Sequence, residues 1–406
     1  MLSESYTKLY MNGLKMQSRE PPNEPREHAA AQAPTVAAKR LVFRSAIEGL
    51  PPYSAGRSAR EALKSRQVSG AVAALAANEG PDGPFPQALQ ALQMQIAHSN
   101  RYPESGFNTL RQSLAQHLWL PVERIAVGAG GIALIHHLSL ALLEPGDEVL
   151  QCTPTFHAYE LDARKLGAKT ISVPVRADGS YDLDAMLKQI GHRTRLIYVC
   201  NPNNPTGGIV TRAELLRFVQ SVPPDIAILI DEAYYEYVDA ADYPDTMRDT
   251  AFHQPNLISL RTFSKAYGLA GLRVAYCAGS PAIVEALAKV QSNYEVTSLS
   301  QAAAIASLND PAELERRCTR TRAGRAALIA GLRARGFEPL PANANFVCVR
   351  VGVAKKVAAA LEAHGVIVRP LDAMGDPTSI RITVGTEAEV QQALEAIAAV
   401  LHSVRS

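Results

Sequence analysis

The chain has 406 residues, of which 47% are hydrophobic and 20% charged, with a formal net charge of +2. That length exceeds what one hydrophobic core serves and points to two domains, while so small a charge gives no electrostatic case for nucleic acid or an anionic membrane surface. Five scattered cysteines, with no CxxC pair and no metal-ligand spacing, read as reduced buried thiols of a cytoplasmic protein.

Residues 1–40 are rich in Pro, Ala, Glu and Gln without sustained periodicity and read as a poorly ordered tail. They lack an apolar core and a small-residue cleavage site, so no secretory signal is expected, and no later run is apolar for long enough to span a bilayer. Residues 41–74 read as an arm joining a small domain. From about Leu75 helices alternate with apolar strands. Residues 124–128 read as a strand, 131–143 as a helix, and 148–152, 196–200, 226–231 and 256–261 as further strands. Strands apolar on both faces and separated by helices predict an α/β domain over 75–298, its mostly parallel central sheet flanked by helices. Residues 299–406 change character: Ala/Leu/Arg-rich helical stretches surround strands at 345–350 and 379–384, the pattern of a smaller α+β domain.

Three strands in the first domain end in polar residues, where open parallel sheets place their sites. One runs into Asn201-Pro-Asn-Asn-Pro-Thr-Gly-Gly208, whose prolines and glycines impose an ordered turn able to present Asn204. The next ends in Asp231-Glu-Ala-Tyr234. The third leads into Arg261-Thr-Phe-Ser-Lys-Ala-Tyr-Gly-Leu-Ala-Gly-Leu-Arg273. A lysine amine condenses with an aldehyde, and hydroxyls with a guanidinium suit a phosphate, so Lys265 with Thr262, Ser264 and Arg273 suits pyridoxal 5'-phosphate (PLP), which carries both groups. Asp231 is the carboxylate to keep the pyridine nitrogen protonated, and Asn204 and Tyr234 are donors for the phenolic oxygen. Singly, each residue has an ordinary explanation as turn former, helix cap or core. Their joint appearance at successive strand ends is far more specific.

Together, Asn-Asn-Pro-Thr-Gly, Asp-Glu-Ala-Tyr and Ser-Lys with an arginine eight residues on resemble the fold-type-I PLP aminotransferases, and most of all the histidinol-phosphate aminotransferase branch. Leu50-Pro-Pro-Tyr53, the segment 75–84, Arg101-Tyr-Pro-Glu104 and Ser379-Ile-Arg-Ile-Thr-Val-Gly385 look like further motifs of that branch. The resemblance implies that Lys265 is the Schiff-base lysine. It also implies that Phe156 stacks on the cofactor ring, and that Gly130, Gly131 and Ile132 offer backbone N–H groups to its phosphate at a helix N-terminus. Tyr102 would reach the phosphate of a neighbouring subunit's cofactor, which implies a homodimer with shared sites. Arg381 would grip the substrate's anionic end, with Tyr53, Asn78 and Arg369 also on the substrate side. An amino donor, glutamate in the expected ping-pong scheme, and a keto or aldehyde acceptor are the implied small-molecule partners.

The sequence departs from that branch in places. Gly-Ala-Gly-Gly-Ile-Ala133 stands where Gly-x-Gly-Ser-Asp-Glu is usual, and Ala77 and Gly80 stand where Ser and Asn are usual; a changed substrate, such as an aromatic or specialised amino acid, would produce such drift. The same glycine run formally fits a dinucleotide fingerprint, but no acid stands at the end of the next strand for the ribose. A decarboxylase acting on an amino-acid phosphate is the closer rival, separable because it needs no keto-acid acceptor. A ligand-sensing module tied to a DNA-binding segment would need a helix-turn-helix pattern, which the tail lacks. Adjacent His136 and His137 point to different helix faces and predict no metal.

Overall fold

The computed structural model describes residues 41–50 and 72–405; the tail at 1–40 and Tyr53 with most of its motif lie outside the described residues. Residues from Arg44 onward make one unit. After a 3-10 turn at Ser45–Ile47, its first described strands are the two-residue β1 (Ala73–Ala74), β2 (Ile125–Gly128), β3 (Glu148–Thr153), β4 (Lys169–Pro174), β5 (Thr194–Cys200), β6 (Ala227–Asp231), β7 (Leu257–Thr262) and β8 (Ala275–Ala278). The last seven form one sheet in the order β2-β8-β7-β6-β5-β3-β4. Strands β4, β3, β5, β6 and β7 run parallel, and β8 is antiparallel to both its neighbours. Strands β2, β6, β7 and β8 are buried at every position because helices cover both faces.

The antiparallel β8 was not foreseen, and it shapes the site. A parallel neighbour needs a long crossover, whereas an antiparallel one can follow after a compact loop. Residues 263–274 make that loop, closed at its base by the Phe263 N–H to Val274 carbonyl bond of 3.2 Å and by the Thr262–Ala275 strand pair. Thr262, Ser264 and Arg273 are thereby brought back to one end of the sheet.

The remaining strands are β9 (Phe346–Arg350), β10 (Val366–Ile367), β11 (Arg369–Pro370) and β12 (Ser379–Thr383). β11, β12 and β9 form an antiparallel three-stranded sheet, and β1 pairs with β10. Val347, Val349, Ile380 and Ile382 pack there against Leu328, Leu332, Ala393 and Ile397 in a separate core. The sequence-based boundary fell at 298/299. The helix Ser298–Leu308 instead packs Ala303, Ala304 and Leu308 into the core that holds Phe263 and Tyr276. The hand-over occurs within the helix Pro311–Arg333, whose Leu328 and Leu332 reach the smaller core.

Candidate active site

Strands β5, β6 and β7 are consecutive neighbours, with Cys200 opposite Asp231 and Asp231 opposite Leu260. Their carboxyl ends therefore bring the Asn201–Gly208 turn, Asp231 and the Lys265 loop to one edge. The turn is held from within by Asn203, whose amide donates to the Pro154 carbonyl at 3.0 Å and to Thr206 Oγ1 at 2.8 Å, and whose oxygen accepts from Thr155 Oγ1 at 2.8 Å.

Asp231 is 5% exposed. Its Oδ2 accepts from the Tyr159 phenol at 2.6 Å and its Oδ1 from the Ala233 N–H at 3.0 Å. Burial raises its pKa, opposed by those two hydrogen bonds and by the nearby charge of Lys265. Lys265 Nζ donates to the Ala77 carbonyl at 3.2 Å and stands 5.8 Å from the Tyr234 ring centroid. Burial, then the charge of Arg381, brings the amine down to about 8, with Glu79 and Asp231 pulling the other way. The amine and the carboxylate each feel the other's charge.

Tyr234, packed edge-on against Phe346 at 5.1 Å, accepts a 2.9 Å hydrogen bond from Asn78 Nδ2. Asn78 is itself buried in the left-handed region, at φ 54°. Its N–H donates to Thr383 Oγ1 at 3.0 Å, and its carbonyl accepts from Asn345 Nδ2 at 3.0 Å. Asn204 accepts from Arg381. Arg381 and Arg369 are cross-strand partners on β12 and β11, so their side chains leave the same face of that sheet.

On the other side, the helix Gly131–Leu142 starts behind Gly130, which has φ +88° and abuts the Arg273 guanidinium so closely that a side chain at 130 would collide with it. The first N–H groups of such a helix, here including those of Gly131 and Ile132, have no partner within the helix. Thr262 Oγ1 and Ser264 Oγ lie 2.9 Å apart where the chain enters the 263–274 loop that carries Arg273. Backbone donors, two hydroxyls and a guanidinium form a donor set suited to a phosphate monoester. At this loop Glu295 accepts from the Ala129 N–H at 3.0 Å and from Gln291 at 2.8 Å, and pairs with His137 at 3.2 Å.

Phe156 is half-buried and meets Tyr159 edge-on at 5.5 Å. Tyr102 stands apart, 83% exposed, its ring stacked 4.7 Å from that of Tyr294. His136 bonds Asp162 at 2.7 Å, and among the described residues there is no group able to hold a metal ion. Sequence reasoning missed Tyr159, Asn345 and Glu295, none of which stands in a distinctive motif, and Thr383, which lies within the motif at 379–385 but was given no role there. It also missed His157, whose charging is disfavoured by burial, then by Arg369 and Arg381.

The family model for aminotransferase class I and II matches residues 71–397. An aromatic amino acid aminotransferase of Rhodococcus jostii is 42% identical over 348 residues, which are 85% of this chain and 92% of that protein. Histidinol-phosphate aminotransferase 1 of Nitrosococcus oceani is 39% identical over 360 residues, 88% and 96% of the two chains. Among solved structures, histidinol-phosphate aminotransferase from Sinorhizobium meliloti in complex with pyridoxal-5'-phosphate superposes with a TM-score of 0.80 at 29% identity, covering 89% of this chain and 98% of that one. A buried acid, an amine and a phosphate-type cradle gathered at one sheet edge, in a chain so matched over most of its length, make this protein a member of the class I and II aminotransferases.

Proposed function

We propose that this aminotransferase works with PLP and moves an amino group by a ping-pong scheme between glutamate and a ring-bearing partner, with histidinol phosphate as the leading substrate. The cofactor, when bound, supplies an electron sink for the substrate's α-carbon. Gly130, Gly131, Ile132, Thr262, Ser264 and Arg273 hold its phosphate, Phe156 covers its ring, Asp231 holds a proton on its nitrogen, and Asn204 and Tyr234 face its phenolic oxygen. Lys265 would hold the cofactor through its aldehyde carbon and would serve as the base at the substrate's α-carbon. Arg381 and Arg369 orient the anionic group of the substrate.

The observation that carries the substrate reading is the direct pairing of Arg369 with Arg381 across two strands. Two guanidinium forks leaving one face of that sheet suit a phosphate monoester or the second carboxylate of glutamate. A second reading, an aromatic amino acid aminotransferase, is favoured by relatives of that name at 41–43% identity and by the departures at Ala77, Gly80 and the phosphate loop. Specificity constants for imidazole-acetol phosphate, aromatic keto acids and aliphatic keto acids test the two. No advantage from substrate phosphate rejects the first reading and leaves the aminotransferase intact.

The proposal extends to a homodimer. Exposed Tyr102, and the exposed apolar side chains Leu89 and Ile96, seven residues apart on one helix face, are of the kind a second copy covers; light scattering that gives a monomer mass at micromolar concentration rejects it. A cytoplasmic setting is supported by the five free, buried cysteines.

A further inference from the structure

The contact between Tyr159 and Asp231 joins residues 72 positions apart, and no role so far discussed uses it. Tyr159 is fully buried and cannot swing away. Its ring stacks on Tyr198 with centroids 4.4 Å apart and 9° between planes, and Phe156 closes its edge at 5.5 Å. Tyr198 is fixed in turn by a 3.0 Å bond to Ser139 Oγ, which donates onward to the Ile135 carbonyl at 2.9 Å. The phenol is thus clamped with its oxygen 2.6 Å from Asp231 Oδ2.

We infer that Tyr159 is a positioning residue that, acting through Asp231, keeps the shared proton on the cofactor's ring nitrogen rather than on the acid. This rests on the PLP reading above. A proton between a pyridine nitrogen and a carboxylate sits on the nitrogen only if the carboxylate is stabilised as an anion. In a buried site, water cannot do that, and burial alone pushes the acid toward its neutral form. Two donors oppose burial here, the Ala233 N–H on Oδ1 and the Tyr159 phenol on Oδ2. The phenol remains a donor because burial, and then the charge of Asp231, raises its own pKa well above the ordinary value. Removing that hydroxyl makes Asp231 more basic and draws the proton off the ring, which weakens the electron sink without touching the substrate's anion site.

The test is the ¹⁵N resonance of holoenzyme reconstituted with PLP labelled at the ring nitrogen. The wild-type signal is expected at the protonated position. In Tyr159→Phe it moves toward the unprotonated position and kcat falls about tenfold, the scale of one hydrogen bond to a charged group, while KM for the keto acid holds. Tyr198→Phe, one layer back, leaves the nitrogen signal in place. An unmoved signal in Tyr159→Phe, an equal move in Tyr198→Phe, or an unprotonated wild-type nitrogen overturns the inference. Wild-type protein that takes up no PLP overturns the reading beneath it, a distinguishable result. Should Tyr159→Phe not fold, 3-fluorotyrosine placed at position 159 is read by ¹⁹F resonance as PLP or its 1-deaza analogue is added to apoenzyme. A shift with PLP and none with the analogue is expected, and equal shifts overturn the inference.

Discussion

Arg381 and Asn204, carried by different sheets, are joined by a hydrogen bond from the guanidinium to the amide oxygen. A second arm of the same guanidinium donates to the Ala76 carbonyl at 2.6 Å, so the fork is oriented before any substrate arrives. Arg381→Lys keeps the charge but loses the planar fork. The expected loss is about 1.5–3 kcal/mol of transition-state stabilisation, or roughly 10- to 150-fold in kcat/KM for a dicarboxylate acceptor. Steady-state kinetics check it; a change below twofold would show that the anion binds elsewhere.

In the proposed function the amine of Lys265 governs cofactor capture. Only the neutral amine attacks an aldehyde, and in the protein without cofactor it titrates near 8 because burial and Arg381 disfavour the cation. The rate of absorbing-adduct formation with added PLP should rise through pH 8 and level above it. The same shift predicts a stability effect. From about 8 up to the ordinary lysine value of 10.5 the unfolded chain holds a proton that the folded chain has released, so the cofactor-free protein gains stability as pH rises across that window. Lys265→Met should abolish both dependences. A capture midpoint near 10.5 contradicts the assignment.

Beneath the site, Arg261 donates to Glu232 at 2.9 Å and to Asp245 at 2.7 Å, with its guanidinium carbon 3.3 Å from the centroid of the Tyr235 ring. Glu232 is wholly buried. Arg261→Met strands that carboxylate and should cost about 3–5 kcal/mol, read as a lower urea midpoint. Adding Glu232→Gln should recover part of the loss, since a neutral amide needs no cation. A double variant less stable than the single one would refute the account.

Tyr234 receives the Asn78 amide at 2.9 Å. Tyr234→Phe leaves that buried donor without its acceptor and removes a hydroxyl from the site. About a tenfold fall in kcat is expected, with a destabilisation of about 1–3 kcal/mol. An unchanged melting temperature would show that the Asn78 contact carries no weight.

Much of this molecule is legible one segment at a time. Strands apolar on both faces announce a covered parallel sheet, and the polar residues that end three of them mark its working edge, because burial and turn chemistry act over a few neighbouring residues. The placement of Asp231, Asn204 and Lys265 at strand ends was therefore visible, as were the glycines that open the helix after β2. What the sequence alone could not decide is which distant side chains meet. Tyr159 reaches Asp231, Asn78 reaches Tyr234 and Thr383, and Arg381 reaches Asn204 only because of strand order, register and the joining of two sheets. The antiparallel β8 was equally hidden, since its direction follows from a compact loop and not from any pattern within the strand. Hydrogen bonds satisfy buried polar groups wherever the chain has carried them, so their partners belong to the tertiary structure, whereas the periodicity that builds each strand belongs to the sequence.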